Sequence, residues 1–208
     1  MIVFALVTFL LPGRGLAAER IKILALGDSL TAGYGLLQAD AFPNRLEQAL
    51  IKDGIAVKVV NAGVSGDTSA GGLSRLNWAL SDKPEAVIIE LGANDGLRGL
   101  EPTETFKNLD AILRILQKRK LAVLLTGMRA PPNLGGDYGQ EFAAIFPRLA
   151  KKYDVTLYPF FLDGVATLPE LNQEDTIHPN VKGVKVVVGR ILPYVKKMLE
   201  SVQKKNGS

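Results

Sequence analysis

Two separated stretches hold residues whose types and spacing could do chemistry. A serine, Ser29, follows Gly27-Asp28, and the chain's single histidine, His178, stands three residues after Asp175. A serine hydroxyl is a weak nucleophile until a base takes its proton, and His178 is the only imidazole available as that base. The imidazole must be held in one tautomer and stabilised as it becomes charged, and Asp175 is placed to accept its Nδ1 proton. The oxyanion that then develops needs fixed donors, and losing one typically costs about 10²–10³ in rate. The Ser29 backbone N–H, the Gly66 backbone N–H and the Asn94 side-chain amide are the candidates. At Gly66 the missing Cβ lets a substrate oxygen come close to the backbone. Together these are the parts of acyl transfer through a serine.

Each residue also has a plainer reading. Asp28 and Ser29 could simply cap the next element. Asn94 could shape a turn with Asp95 and Gly96, and Gly66 could serve a backbone turn alone. Asp28, Asp67 and Asp95 could together hold a hard cation, although turn capping explains each carboxylate separately. The choice depends on whether the fold brings these loops together.

The elements that must position them alternate along the chain. Ile23 to Leu26 is a short apolar run suited to a strand buried on both faces, and Gly27 reads as the residue that allows the turn after it. Phe42, Leu46, Ala49 and Leu50 mark a helix to about Asp53, with Pro43 in its first turn and Gly54 at its stop. Val57 to Val60 reads as a second strand, followed by a helix carrying Leu73 and Leu76. Ala86 to Leu91 is a third strand, and Phe106, Leu109, Leu113 and Leu116 mark the next helix. Ala122 to Thr126 is a fourth strand, and a long loop, Gly127 to Gly139, precedes a helix with Phe142, Ile145, Phe146 and Leu149. A short strand near Val155 to Leu157 and a last helix from about Val181 complete the series. Strands alternating with helices predict a three-layer α/β/α sandwich around a mostly parallel five-stranded sheet. In such a sheet the loops at Gly27, Gly63 to Thr68 and Gly92 to Gly96 leave at one edge, and the Asp175 to Pro179 loop can reach it.

Composition narrows the classes. With 47% apolar and 22% charged residues the chain suits a packed core and not disorder. The formal net charge of +4 is dispersed, with no basic stripe interleaved with aromatics, which argues against nucleic acid as a partner. No cysteine is present, so disulfides, thiolate catalysis and cysteine zinc sites are excluded, and one histidine excludes a His-rich metal site. Residues 1–18 differ from the rest. Ile2 to Leu11 is nearly all apolar, too short to span a bilayer, and is followed by Pro12 to Ala18. This reads as an export signal cut after Ala17 or Ala18, implying a periplasmic or secreted protein. No Lys or Arg precedes the run, so the alternative is an ordered N-terminal arm on a cytoplasmic protein. Residues 19–208 are then expected to form one domain, with nothing to specify an oligomer.

Four stretches, GDSLTAGYG, NAGVSGDTS, ELGANDG and DTIHPN, resemble in order the four blocks of the SGNH (GDSL) hydrolases. The resemblance runs from about Ile21 to the last helix and is nearest the bacterial arylesterase and thioesterase/lysophospholipase type. It implies a flavodoxin-like SGNH fold and a carboxylic ester hydrolase. It implies Ser29 as nucleophile, Gly66 and Asn94 in the oxyanion hole, and Asp175 and His178 completing the triad. No metal or organic cofactor is required. The GxSxG elbow of larger α/β-hydrolases is missing. The partner is then a small-molecule ester. Leu97, Met128, Ala130, Pro131, Leu134 and Ile177 lie in or beside these loops and could line an apolar groove for aryl and short- to medium-chain acyl esters, or could be ordinary loop packing. An acyltransferase using the same triad is the alternative, followed by a non-catalytic anion-binding module, which would leave Asp175 and His178 without a purpose.

Overall fold

The computed structural model describes residues 20–206, with side chains described to Val202. The proposed export segment and its cleavage site lie outside the described residues. Five strands, β1 (Ile21–Gly27), β2 (Val57–Gly63), β3 (Ala86–Glu90), β4 (Ala122–Thr126) and β5 (Thr156–Tyr158), form one parallel sheet in the order β2-β1-β3-β4-β5. The central strands read as unbroken apolar runs because both of their faces are covered: Ile23 to Leu26 and Val87 to Ile89 are almost wholly buried. At the edge strand β2, Val57 and Val59 are buried while Lys58 between them is exposed.

The connecting helices are α1 (Ser29–Ala32), α2 (Phe42–Lys52), α3 (Ser69–Ala79), α4 (Ala93–Leu97), α5 (Pro102–Lys118), α6 (Gly136–Tyr153) and α7 (Val181–Asn206). The longer ones form two outer layers: α2 packs with α7, and α5 packs with both α3 and α6. Their apolar stripes, such as Leu109, Ile112, Leu113 and Leu116 on α5, join the strands in one continuous core. Each fully buried Leu or Ile is worth about 1.5–3 kcal/mol over its exposed state, so these stripes hold the layers on the sheet.

Three boundaries differ from expectation. β2 runs on through Asn61, Ala62 and Gly63, which pair with Ala25, Leu26 and Gly27. Ladder pairing with the neighbouring strand overrides the weak strand preference of Asn and Gly. The long loop expected over 127–139 is shorter, because α6 starts at Gly136 within a glycine-rich sequence that carries no periodic signal. The loops after β1 and β3 each coil into a short helix, α1 and α4, too brief for a period to be read.

The strand order places the site. The chain steps from β1 to β2 and then returns across β1 to β3, so the connections leaving β1 and β3 diverge and open a crevice at their carboxyl ends. Ser29 and Asn94 both stand there.

Candidate active site

Ser29 opens α1 directly after β1. Asp28 caps that helix, its Oδ1 accepting from the Leu30 N–H at 3.0 Å. Gly27 is required for a reason other than the expected turn. Its φ is not positive; instead a Cβ there would overlap Thr31 Oγ1 and lie 2.6 Å from Glu90 Oε2. The strand and the helix that Ser29 opens are thereby packed closer than any side chain would allow.

His178 reaches this edge from the segment before α7. Asn180 caps α7, accepting from the N–H groups of Lys182 and Gly183. Just upstream, Gln173 ties the segment to the loop after α1: its side chain donates to the Tyr34 carbonyl at 2.8 Å and its N–H donates to the His178 carbonyl at 2.8 Å. Asp175 Oδ1 accepts from the N–H groups of Ile177 and His178, closing a tight turn in which Thr176 has φ 62°. Its Oδ2 faces His178 Nδ1 at 2.6 Å, and His178 Nε2 lies 2.8 Å from Ser29 Oγ. A carboxylate only accepts, so the Nδ1 carries the proton and Nε2 is left to accept from the serine hydroxyl. The His178 backbone bond, followed by its side-chain bond, holds Asp175 down at a pKa of about 2. The Tyr34 ring sits 4.6 Å from the imidazole, centroid to centroid.

The two predicted oxyanion donors flank Ser29. Gly66 has φ +85°, so its glycine is required by left-handed backbone; a Cβ would meet only Arg98 Nη2, at 3.9 Å. Arg98 also donates to the Gly66 carbonyl at 2.9 Å. Asn94 Nδ2 donates to the Asp67 carbonyl at 2.9 Å and to Asp28 Oδ2 at 3.1 Å. The amide expected to be a free donor is therefore already held by two acceptors.

The three aspartates considered as a cation site are turned to separate donors. Asp28 takes Leu30 and Asn94, Asp67 takes Arg75, and Asp95 takes Ser69 and Thr105. Buried Asp28 has its carboxyl pushed up to about 6, chiefly by burial and against the hydrogen bonds it receives.

Ser29, Gly66, Asn94 and His178 share a groove of about 890 Å³. Met128 is buried in its wall, while Leu97 and Ile177 stand half-exposed at its mouth, and Ala130 and Pro131 add to the lining. Leu134 does not line it and packs near Gly99 instead. Three contributors were missed in the sequence. Tyr34 lies within a quoted block but shows no signal of its contact. Arg75 bridges the loops, its Nε donating to Asp67 Oδ2 at 2.6 Å, Nη1 to the Ala62 carbonyl at 2.7 Å and Nη2 to the Gly27 carbonyl at 2.8 Å. Glu90 did leave a signal, as a charge ending an otherwise apolar strand.

The sequence model for the GDSL-like lipase/acylhydrolase family matches residues 25–186. The chain belongs to this family. It is 43% identical over 159 residues to an arylesterase of Vibrio mimicus, covering 76% of this chain and 80% of that one. It is 45% identical over 167 residues to thioesterase 1/protease 1/lysophospholipase L1 of Escherichia coli K12, covering 79% and 78%. The crystal structure of AlinE4, an SGNH-hydrolase family esterase, superposes with a TM-score of 0.74 at 53% identity over 87% of this chain and 97% of that one. This GDSL-family chain is therefore a serine-type carboxylic ester hydrolase, built on the SGNH fold.

Proposed function

We propose that Ser29 is the nucleophile of this hydrolase and His178 its base, with Asp175 orienting the imidazole. The observation that carries this is the continuous relay from Asp175 Oδ2 through the ring to Ser29 Oγ, at 2.6 and 2.8 Å. In the reading, His178 Nε2 takes the hydroxyl proton as Oγ attacks the acyl carbonyl, then returns it to the leaving alcohol or thiol. Water repeats the sequence on the acyl-enzyme. The Gly66 and Ser29 N–H groups and the Asn94 amide receive the oxyanion, which competes with the Asp67 carbonyl for the Asn94 hydrogen. The substrates are aryl and short- to medium-chain acyl esters, with thioesters and lysophospholipids as further candidates from the relatives' names. The apolar lining by Leu97, Met128 and Ile177 supports this class.

A phosphonylating reagent should modify Ser29 alone, read by mass spectrometry of the digest, and Ser29→Ala should fold normally and lose turnover on p-nitrophenyl esters. An intact Ser29→Ala protein with full activity overturns the assignment. A rate series over p-nitrophenyl esters of rising acyl length defines the groove, and activity confined to acetylated sugars sinks the apolar reading. The apolar composition of residues 1–18 supports export to the periplasm or beyond. N-terminal sequencing of protein recovered from a periplasmic fraction tests this; an uncut chain in the cytoplasm refutes it.

A further inference from the structure

The turn that carries Gly66 is held by a side chain for which the proposed mechanism has no use. Residues Val64 to Asp67 form a β-turn, closed by the Asp67 N–H on the Val64 carbonyl at 3.1 Å. Gly66 takes its third position with φ +85°, and Ser65 has no positive φ, so the turn is of type II. Turns of types I and II differ by about half a rotation of the central peptide, the one that carries the Gly66 N–H. Glycine adopts either form readily, so its own backbone does little to fix that donor. Val64, Ser65 and Gly66 are all exposed. Among the described residues, the only side-chain hydrogen bond to these three comes from Arg98, whose Nη2 donates to the Gly66 carbonyl at 2.9 Å.

Arg98 caps the C-terminal end of α4, four residues after Asn94, a spacing that puts both side chains on one face of that short helix. They bond successive carbonyls of the same loop: Arg98 takes that of Gly66, and Asn94 that of Asp67 at 2.9 Å. The two proposed oxyanion donors, one on the turn and one on α4, are thereby tied to each other. The Asn94 amide has two hydrogens, and its other partner is Asp28 Oδ2 at 3.1 Å. To serve an oxyanion it must loosen one of these bonds. Once the Asp67 carbonyl is let go, the bond from Arg98 is the one that still joins the turn to α4. Arg75 holds the Asp67 carboxylate from α3, and none of its bonds reaches residues 64–66.

We infer that Arg98 is a positioning residue for the oxyanion hole: its guanidinium keeps the Gly66 turn seated on α4 while the Asn94 amide is drawn to the oxyanion. The inference rests on the assignment of Gly66 and Asn94 to that hole, and its test has an arm that does not.

That arm is amide hydrogen exchange of the full chain, read by NMR. In Arg98→Met the Asp67 N–H, which closes the turn, should exchange several-fold faster than in the wild type; unchanged exchange overturns the clasp whatever the site does. Arg98 is exposed, so the variant should melt within about 2 °C of wild type. Its kcat on p-nitrophenyl acetate should fall by about 10-fold with KM little changed, less than for outright loss of a donor because the donors are displaced and not removed. The inhibition constant of phenylboronic acid, whose tetrahedral adduct with Ser29 Oγ puts an oxygen in the hole, should rise by about the same factor. The loss should persist at about 1 M salt, where exposed charges are screened. Arg98→Lys, which can still donate to one carbonyl, should recover most of kcat. A kcat within about twofold of wild type in Arg98→Met, a rise in KM alone, a loss that vanishes in salt, or Arg98→Lys as slow as Arg98→Met each overturns the positioning role. Failure of the active-site reading would appear separately, as full activity in Ser29→Ala.

Discussion

Arg75 is the residue whose removal tests the architecture of the site most directly. Its guanidinium joins the end of β1 at Gly27, the end of β2 at Ala62 and the loop carrying Gly66 at Asp67, through three bonds of 2.6–2.8 Å. Hydrogen bonds to charged groups contribute about 1.5–3 kcal/mol each when made, and leaving one buried partner of an ion pair unpaired costs about 3–5 kcal/mol. The side chains of Arg75 and Asp67 each retain 17% exposure, so water repairs part of the loss. We therefore expect Arg75→Met to cost about 3 kcal/mol, or about 6–12 °C in melting temperature for a chain of this size. The rate should fall as well, because the Asp67 carbonyl receives the Asn94 amide and Gly27 leads into Ser29. A misplacement of about 1 Å can cost about 10²-fold, so kcat should drop by about 10- to 100-fold with KM little changed. Arg75→Lys, keeping the charge but one donor point in place of the fork, should recover only part of both. The assays are a thermal melt followed by circular dichroism and initial rates on p-nitrophenyl acetate. An Arg75→Met protein melting within about 2 °C of wild type, with kcat within about twofold, would refute the clasp.

The remaining predictions concern the titrating carboxyls. The folded Asp28 carboxyl titrates near 6, above its ordinary 3.8, so the folded state binds the extra proton and stability falls as pH rises from about 4 to about 6. Asp28→Asn keeps the helix cap and removes that penalty. Its melting temperature at pH 8 should exceed wild type, its pH dependence over that window should flatten, and kcat should fall because Asn94 loses a charged anchor. A lower melting temperature at pH 8 would contradict the burial argument. For Asp175 the sign is opposite: a folded pKa of about 2 against 3.8 gives stability that is present above about pH 4 and lost between about 4 and 2. Asp175→Asn should flatten the melting profile there and lower kcat by roughly 10²–10⁴-fold through the wrong imidazole tautomer. Unchanged kcat at pH 8 would exclude Asp175 as the orienting group.

Local chemistry was legible in the one-dimensional chain. Residues such as Ile23 to Leu26 and Leu109 to Leu116 announce their elements because burial on two faces or on one stripe leaves a period in the sequence. The quoted blocks also made Ser29, Gly66, Asn94, Asp175 and His178 the candidates, because each lies in a short polar break between such elements. Groups that act through distant partners left weaker marks or none. Arg75 lies on the helix α3 and reads as an ordinary surface charge until the ends of β1 and β2 are brought beneath it. Gly27 looked like a turn residue, whereas its need for a bare Cα comes from Thr31 and Glu90, the latter 63 positions away. Asn94 looked like a free donor until the Asp67 carbonyl was seen to take one of its hydrogens. The sequence by itself determined the layered architecture and named the candidate reactive groups, since hydrophobic period and side-chain chemistry are local properties. Only the tertiary structure decided which hydrogens are free, which carboxyls are buried and which glycine is crowded, because those depend on what the crossing strands place a few ångströms away.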